Sequence, residues 1–81
     1  MKQSKDAIRT WMLDYLARLL EIPVAEVDTQ TSFSDYGLDS TAAAGLSGDL
    51  ADWLGVHLQA SMLKDHRTID AVVNFVAKQA L

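Results

Sequence analysis

Few residues in this chain could do chemistry: Ser40, with Asp39 beside it and Gly37 behind, two histidines, and a set of acids. The run Gly37-Leu38-Asp39-Ser40 sits just before a helical pattern, so the serine hydroxyl is expected at the exposed mouth of a helix. A catalytic serine needs a positioned base and an oxyanion hole. The pattern Gly-x-Ser-x-Gly is absent around Ser40. His57 lies about 17 positions further on, nearly five helical turns away, too far to take the serine proton. Zinc needs three or four ligands, and His57 and His66 without any cysteine do not supply them. Two roles remain for Ser40. One is the N-cap of its helix, the common use of serine there. The other is attachment: an anion on its oxygen would meet the positive end of the helix dipole and backbone N–H groups that lack intrahelical partners.

What positions that serine must fit in 81 residues, which make one domain spanning residues 1–81 and leave no room for a deep cleft between lobes. The hydrophobic fraction of 49% suffices for a packed core. No apolar run approaches the roughly 20 residues that span a bilayer, and the first residues are not a signal-peptide core. The expectation is a cytoplasmic monomer that avoids membranes.

Charge is unevenly placed. The seven basic residues are Lys2, Lys5, Arg9 and Arg18, then Lys64, Arg67 and Lys78, with none between Leu19 and Leu63. That stretch holds Glu21, Glu26, Asp28, Asp35, Asp39, Asp49 and Asp52. Such a surface repels nucleic acid, whose binding draws on clustered cations. It reads either as a solvated acidic face or, because it surrounds Ser40, as a docking surface for basic partners.

The pattern is all-α: a small bundle of three main helices plus a short extra one. Ser4 is a plausible N-cap for a first helix with a stripe of Ile8, Trp11, Met12, Tyr15, Leu16, Leu19 and Leu20, ended by Ile22-Pro23. A connection over residues 24–39 follows, anchored by Val24, Val27, Phe33, Tyr36 and Leu38. The second helix runs from Ser40 to Leu54 and stops at Gly55. Its core side holds Ala43, Leu46, Leu50, Trp53, Leu54 and His57. Met62-Leu63 makes a short helical turn, and a last helix begins near Thr68 with Ile69, Val72, Val73 and Val76 inward. On the second helix, Thr41, Ala44, Gly45, Gly48 and Asp52 face away from the core. Each glycine there costs roughly 1 kcal/mol against alanine. Neutral drift accounts for that, or a partner's backbone lies flat against this face.

The chain resembles the acyl carrier proteins, specifically the polyketide-synthase type, over nearly its whole length. Phe33 and Tyr36-Gly37-Leu38-Asp39-Ser40 are similar to that family's F-x-x-x-G-x-D-S attachment motif. Leu46, Leu50, Leu54-Gly55-Val56 and Leu58 resemble its second helix and following loop. His66-Arg67-Thr68-Ile69 is similar to its closing P-T-I segment, and Val72, Phe75 and Val76 to its last helix.

The resemblance implies a four-helix carrier fold and a covalent 4′-phosphopantetheine on Ser40, donated from coenzyme A by a phosphopantetheinyl transferase. Asp39 would assist that transfer near its magnesium. The arm's thiol would hold an acyl group as a thioester, loaded by an acyl ligase or acyltransferase and presented to a ketosynthase or other acyl-processing enzyme of polyketide or fatty-acyl biosynthesis. The carrier itself is not an enzyme and binds no metal. Partner recognition would fall on Asp35, Leu38, Thr41 and Ala44, then Gly45, Gly48, Asp49 and Asp52. Thr41 departs from the family's usual apolar residue, and Arg67 from its usual proline. Two alternatives are a peptidyl or aminoacyl carrier, in which glycine-histidine usually replaces Leu38-Asp39, and a cofactor-free helical interaction domain in which Ser40 only caps.

Overall fold

The computed structural model describes residues 3–59 and 61–80. Helix α1 spans Lys5–Leu20, a 3₁₀ turn Val24–Glu26, α2 Ser40–Leu54, α3 Met62–Asp65 and α4 Ile69–Ala80, with no strand among the described residues. No helix among them is long and apolar enough to cross a membrane.

The helical periods of the sequence become the core. Ile8, Met12 and Leu16 of α1 meet Leu46 and Leu50 of α2 and Ile69, Val72, Val73 and Val76 of α4, and all nine are fully buried. Truncating such a side chain to alanine removes about 2–5 kcal/mol, a large share of what a domain this small possesses. Met62 and Leu63 close one end from α3. Trp11 lies at the rim, stacked on Tyr15 at 5.1 Å and on Trp53 at 5.4 Å.

Helix ends obey simple rules, with one exception. Ser4 Oγ accepts the Ala7 N–H at 3.0 Å, and Thr68 Oγ1 accepts the Ala71 N–H at 3.1 Å. Gly55, left-handed at φ 71°, ends α2. Helix α1, however, stops at Leu20, before Ile22-Pro23, because Glu21 turns left-handed at φ 58°. Ala17 O then accepts N–H groups from both Glu21 and Ile22, the arrangement that usually selects glycine.

The long connection survives because it is tied at several points. Val27 and Phe33 are buried, and Tyr36 Oη accepts the Asp28 N–H and donates to the Asp28 carbonyl. Asp70 of α4 accepts from Thr29 Oγ1 at 3.0 Å and Arg9 Nε at 3.3 Å, joining the connection to α1 and α4. Three expected core positions lie outside: Val24 and Leu19 are exposed, and so is His57. Val24 sits on a 3₁₀ turn at the surface, Leu19 lies at the edge of the stripe, and His57 comes after α2 has ended.

Candidate functional site

Ser40 is positioned by a turn and a cap. Phe33, buried, anchors the turn, and its N–H donates to the Arg67 carbonyl at 2.8 Å. Gly37 at φ 79° reverses the chain, so the Leu38 N–H returns to the Phe33 carbonyl at 3.1 Å. A side chain at Gly37 would be strained, since that region favours glycine. Asp39 follows in extended conformation, and its Oδ1 accepts the Ala42 N–H at 2.8 Å.

Asp39, not Ser40, therefore caps α2, which corrects the capping role expected of the serine. A carboxylate one residue earlier reaches the free N–H and also suits the positive helix end. Ser40 becomes the first helical residue, exposed, with a hydroxyl that makes no hydrogen bond among the described residues. That hydroxyl is free to be modified.

Thr41, Ala44, Gly45, Gly48 and Asp52 are all exposed along α2, as their spacing predicts. Nothing in the bundle requires either glycine: a Cβ at Gly48 would meet open space, and one at Gly45 only the Tyr15 hydroxyl at an ordinary 3.6 Å. Asp49 is drawn aside, accepting a 2.8 Å hydrogen bond from Tyr15 Oη of α1. Burial, and then the hydrogen bond and charge of Asp49, raise the Tyr15 pKa against a smaller opposing effect of Arg18. Asp35 is exposed in the turn, while half-buried Leu38 faces a groove. His66 stacks on Phe75 at 4.2 Å, and among the described residues no group of acids and histidines could hold a metal.

A groove of about 710 Å³ opens beside Ser40. Phe33, Leu38, Ala43 and Leu63 give it apolar walls, and Ser40 and Asp39 stand along one side. Lys64 and Arg67 also line it. Sequence reasoning missed this pair, because it placed them at a chain end, far from Ser40. The available signal was Leu63 in the same short turn, whose burial obliges the next residues to come back to the core.

The phosphopantetheine attachment site family matches residues 10–76. The chain belongs to this family of carrier proteins. It is 36% identical over 70 residues to the acyl carrier protein TtuC of Teredinibacter turnerae, covering 86% of this chain and 80% of that one. Further matches are segments of polyketide synthases, of which the chain spans only 3%. Among solved structures, the acyl carrier protein Asl1650 of Anabaena superposes with a TM-score of 0.92 at 28% identity, covering 100% of this chain and 92% of that one. A free-standing peptidyl carrier protein of Acinetobacter baumannii reaches 0.90 at 26%, covering 99% and 100%. The bundle alone thus does not separate acyl from peptidyl carriers, whereas the sequence relatives favour the acyl type. The protein is an acyl carrier with a 4′-phosphopantetheine attachment domain, carries substrates without catalysing their reactions, and acts with partner enzymes.

Proposed function

We propose that Ser40 is the attachment residue of 4′-phosphopantetheine, that residues 1–81 form one carrier domain, and that the arm presents acyl thioesters to cytoplasmic enzymes of polyketide or fatty-acyl assembly. The observation that carries this reading is the exposed Ser40 hydroxyl, without a hydrogen-bond partner among the described residues, at a helix start already capped by Asp39. In the transfer, Ser40 Oγ would bond to the coenzyme A phosphorus that bears the pantetheine, and the bond from that phosphorus to the bridging oxygen would break, so that 3′,5′-ADP leaves. The hydroxyl proton would go to a base of the transferase, with the Asp39 carboxylate beside Ser40 lining the same groove. A phosphodiester on Oγ would lie near the first N–H groups of α2, where negative charge is favoured.

Partner enzymes would dock on α2 through Thr41, Ala44, Gly45 and Gly48, with Asp52 and Asp35 as acids for basic partners. Leu38 lines the groove, and Asp49 contributes charge from the flank it shares with Tyr15. The partners in this reading are a phosphopantetheinyl transferase, an acyl-loading ligase or acyltransferase, and a ketosynthase. Intact-protein mass spectrometry with coenzyme A and a broad-specificity transferase is the test. Wild type is expected to gain the arm once, on a peptide containing Ser40; arm-free protein, or an arm mapped elsewhere, would sink the reading.

A further inference from the structure

A second groove, of about 490 Å³, runs between α1 and α2 and shares no residue with the one beside Ser40. Trp11, Tyr15, Arg18 and Leu19 of α1 line it, with Asp49 of α2. Its aromatic wall is braced, since Trp11 stacks on Tyr15 and on Trp53. Leu19, 45% exposed, adds bare aliphatic surface. Tyr15 Oη donates to Asp49 Oδ2 at 2.8 Å. Burial and then Asp49 raise the phenol pKa, so Tyr15 keeps its proton and stays the donor. A neutral donor orients the carboxylate without cancelling its charge. Asp49 and Arg18 enter no ion pair among the described residues, where those pairs are Arg9 with Asp6 and Asp70. Arg18 Nε turns instead to the Asp14 carbonyl of its own helix at 3.4 Å. The groove is continuous with the outward face of α2, because a Cβ at Gly45 would stand 3.6 Å from the Tyr15 hydroxyl.

We propose that this groove receives a cationic side chain, arginine or lysine, of the phosphopantetheinyl transferase, with Asp49 pairing its charge and Tyr15 holding Asp49 in place. The inference rests on Ser40 being the attachment residue, which makes the transferase a partner the chain must meet. Aromatic faces and an aliphatic edge suit the stem of such a side chain, and a carboxylate suits its head. Asp49 would repel an anionic guest, and an apolar one would cover the charge without pairing it. Asp49 lies nine residues beyond Ser40, about 14 Å along the axis of α2 and half a turn around it. A standard interface covers about 800 Å² of each partner, roughly 30 Å across, so one enzyme reaches both. Docking then spans two helices: α2 presents the serine, and α1 fixes the acid that is recognised. Tyr15 is a positioning residue in this scheme, and Arg18 weakens the site by repelling the incoming cation.

The test uses the whole chain, a broad-specificity phosphopantetheinyl transferase and coenzyme A, with KM for the carrier and kcat measured on each variant. Asp49→Asn is expected to raise KM about threefold to tenfold at unchanged kcat, and Tyr15→Phe about twofold. In an Asp49→Asn background, Tyr15→Phe should add nothing. Arg18→Gln should lower KM about twofold, the opposite sign. Salt at about 0.5 M should shrink all these differences. Asp49 and Arg18 are exposed, so their substitutions decide the matter even if loss of the phenol disturbs the fold. As a direct readout, unlabelled transferase added without coenzyme A should shift the indole N–H signal of Trp11 in ¹⁵N-labelled carrier. A Trp11 signal that stays put while the Thr41 amide moves would overturn the groove as a docking site, as would wild-type KM for Asp49→Asn. A lower KM for Asp49→Asn with a higher one for Arg18→Gln would assign the groove to an anion and overturn the proposal equally. All three outcomes leave attachment untouched. No arm on Ser40 would overturn attachment, and this inference with it.

Discussion

Helices α1 and α2 are nearly equal in length, 16 and 15 residues, yet they are ended by opposite choices. At the start of α1, Ser4 uses its hydroxyl as the cap; at the start of α2, Asp39 caps and the Ser40 hydroxyl next to it has no hydrogen-bond partner among the described residues. At the other ends, α2 closes on glycine while α1 forces Glu21 into the same left-handed turn. Inside, α2 carries Gly45 and Gly48 on an exposed face, and α1 carries no glycine. The contrast separates two uses of one residue type. Serine at α1 is structural, and serine at α2 is relieved of structure so that its oxygen remains available. The proposed attachment of the arm to Ser40 would give that freedom a purpose.

The largest effect belongs to the two serines exchanged for alanine. Ser40→Ala is expected to abolish arm attachment completely while changing unfolding free energy by less than about 0.5 kcal/mol. Ser4→Ala should do the reverse, losing about 1 kcal/mol with attachment unchanged. Urea unfolding and intact mass on both variants decide it. If Ser40→Ala cost as much stability as Ser4→Ala, the division between the helix starts would collapse.

Asp39 sharpens the comparison next. Asp39→Ala removes the cap and should lose about 0.5–2 kcal/mol, whereas Asp39→Asn keeps a capping oxygen and should lose only a few tenths. Because asparagine lacks the charge, any slowing of arm transfer to a fully folded Asp39→Asn protein reports on the transferase rather than on the fold. Equal stability losses for the two variants would mean that the helix end values the charge and not the hydrogen bond.

The glycines come third. Gly48→Ala is expected to stabilise the carrier by roughly 0.5–1 kcal/mol, since its Cβ would meet no neighbour and alanine is the better helix former. Gly48→Leu should retain most of that stability yet weaken partner turnover or binding, measured with any ketosynthase or transferase that accepts the wild type. Normal handling of Gly48→Leu by every partner would leave drift as the explanation for the glycine.

How far these regions were legible in the sequence differs for physical reasons. The bounds of α2 could be read because Gly55 signals a left-handed stop and the apolar period of Leu46, Leu50 and Leu54 is regular. The N-caps Ser4 and Thr68 were legible for the same local reason. The cap of α2 was misread because Asp39 and Ser40 are both good capping residues, and only backbone dihedrals decide which one stands outside the helix. The Asp49–Tyr15 bond spans 34 residues, and Lys64 and Arg67 stand 24 and 27 residues beyond Ser40, so both depend on tertiary proximity that no local pattern encodes. His57 was placed inward by extending the helical wheel past the point where Gly55 had already broken it.

The smallest expected effect tests the C-terminal half of the comparison. Glu21 adopts φ 58° and ψ 45° with a Cβ that crowds the backbone in that region, and nothing about glutamate announces the turn. Glu21→Gly relieves the crowding but releases more freedom in the unfolded chain, so the net gain should be a few tenths of a kcal/mol up to about 1. Gly55→Ala makes the opposite change at α2 and should lose about 1 kcal/mol. Thermal unfolding of both variants reads the two signs directly. Were Glu21→Gly to destabilise the protein, the glutamate side chain would have to supply a compensating contact at the end of α1, and the left-handed turn there would be a selected feature of α1 rather than a tolerated cost.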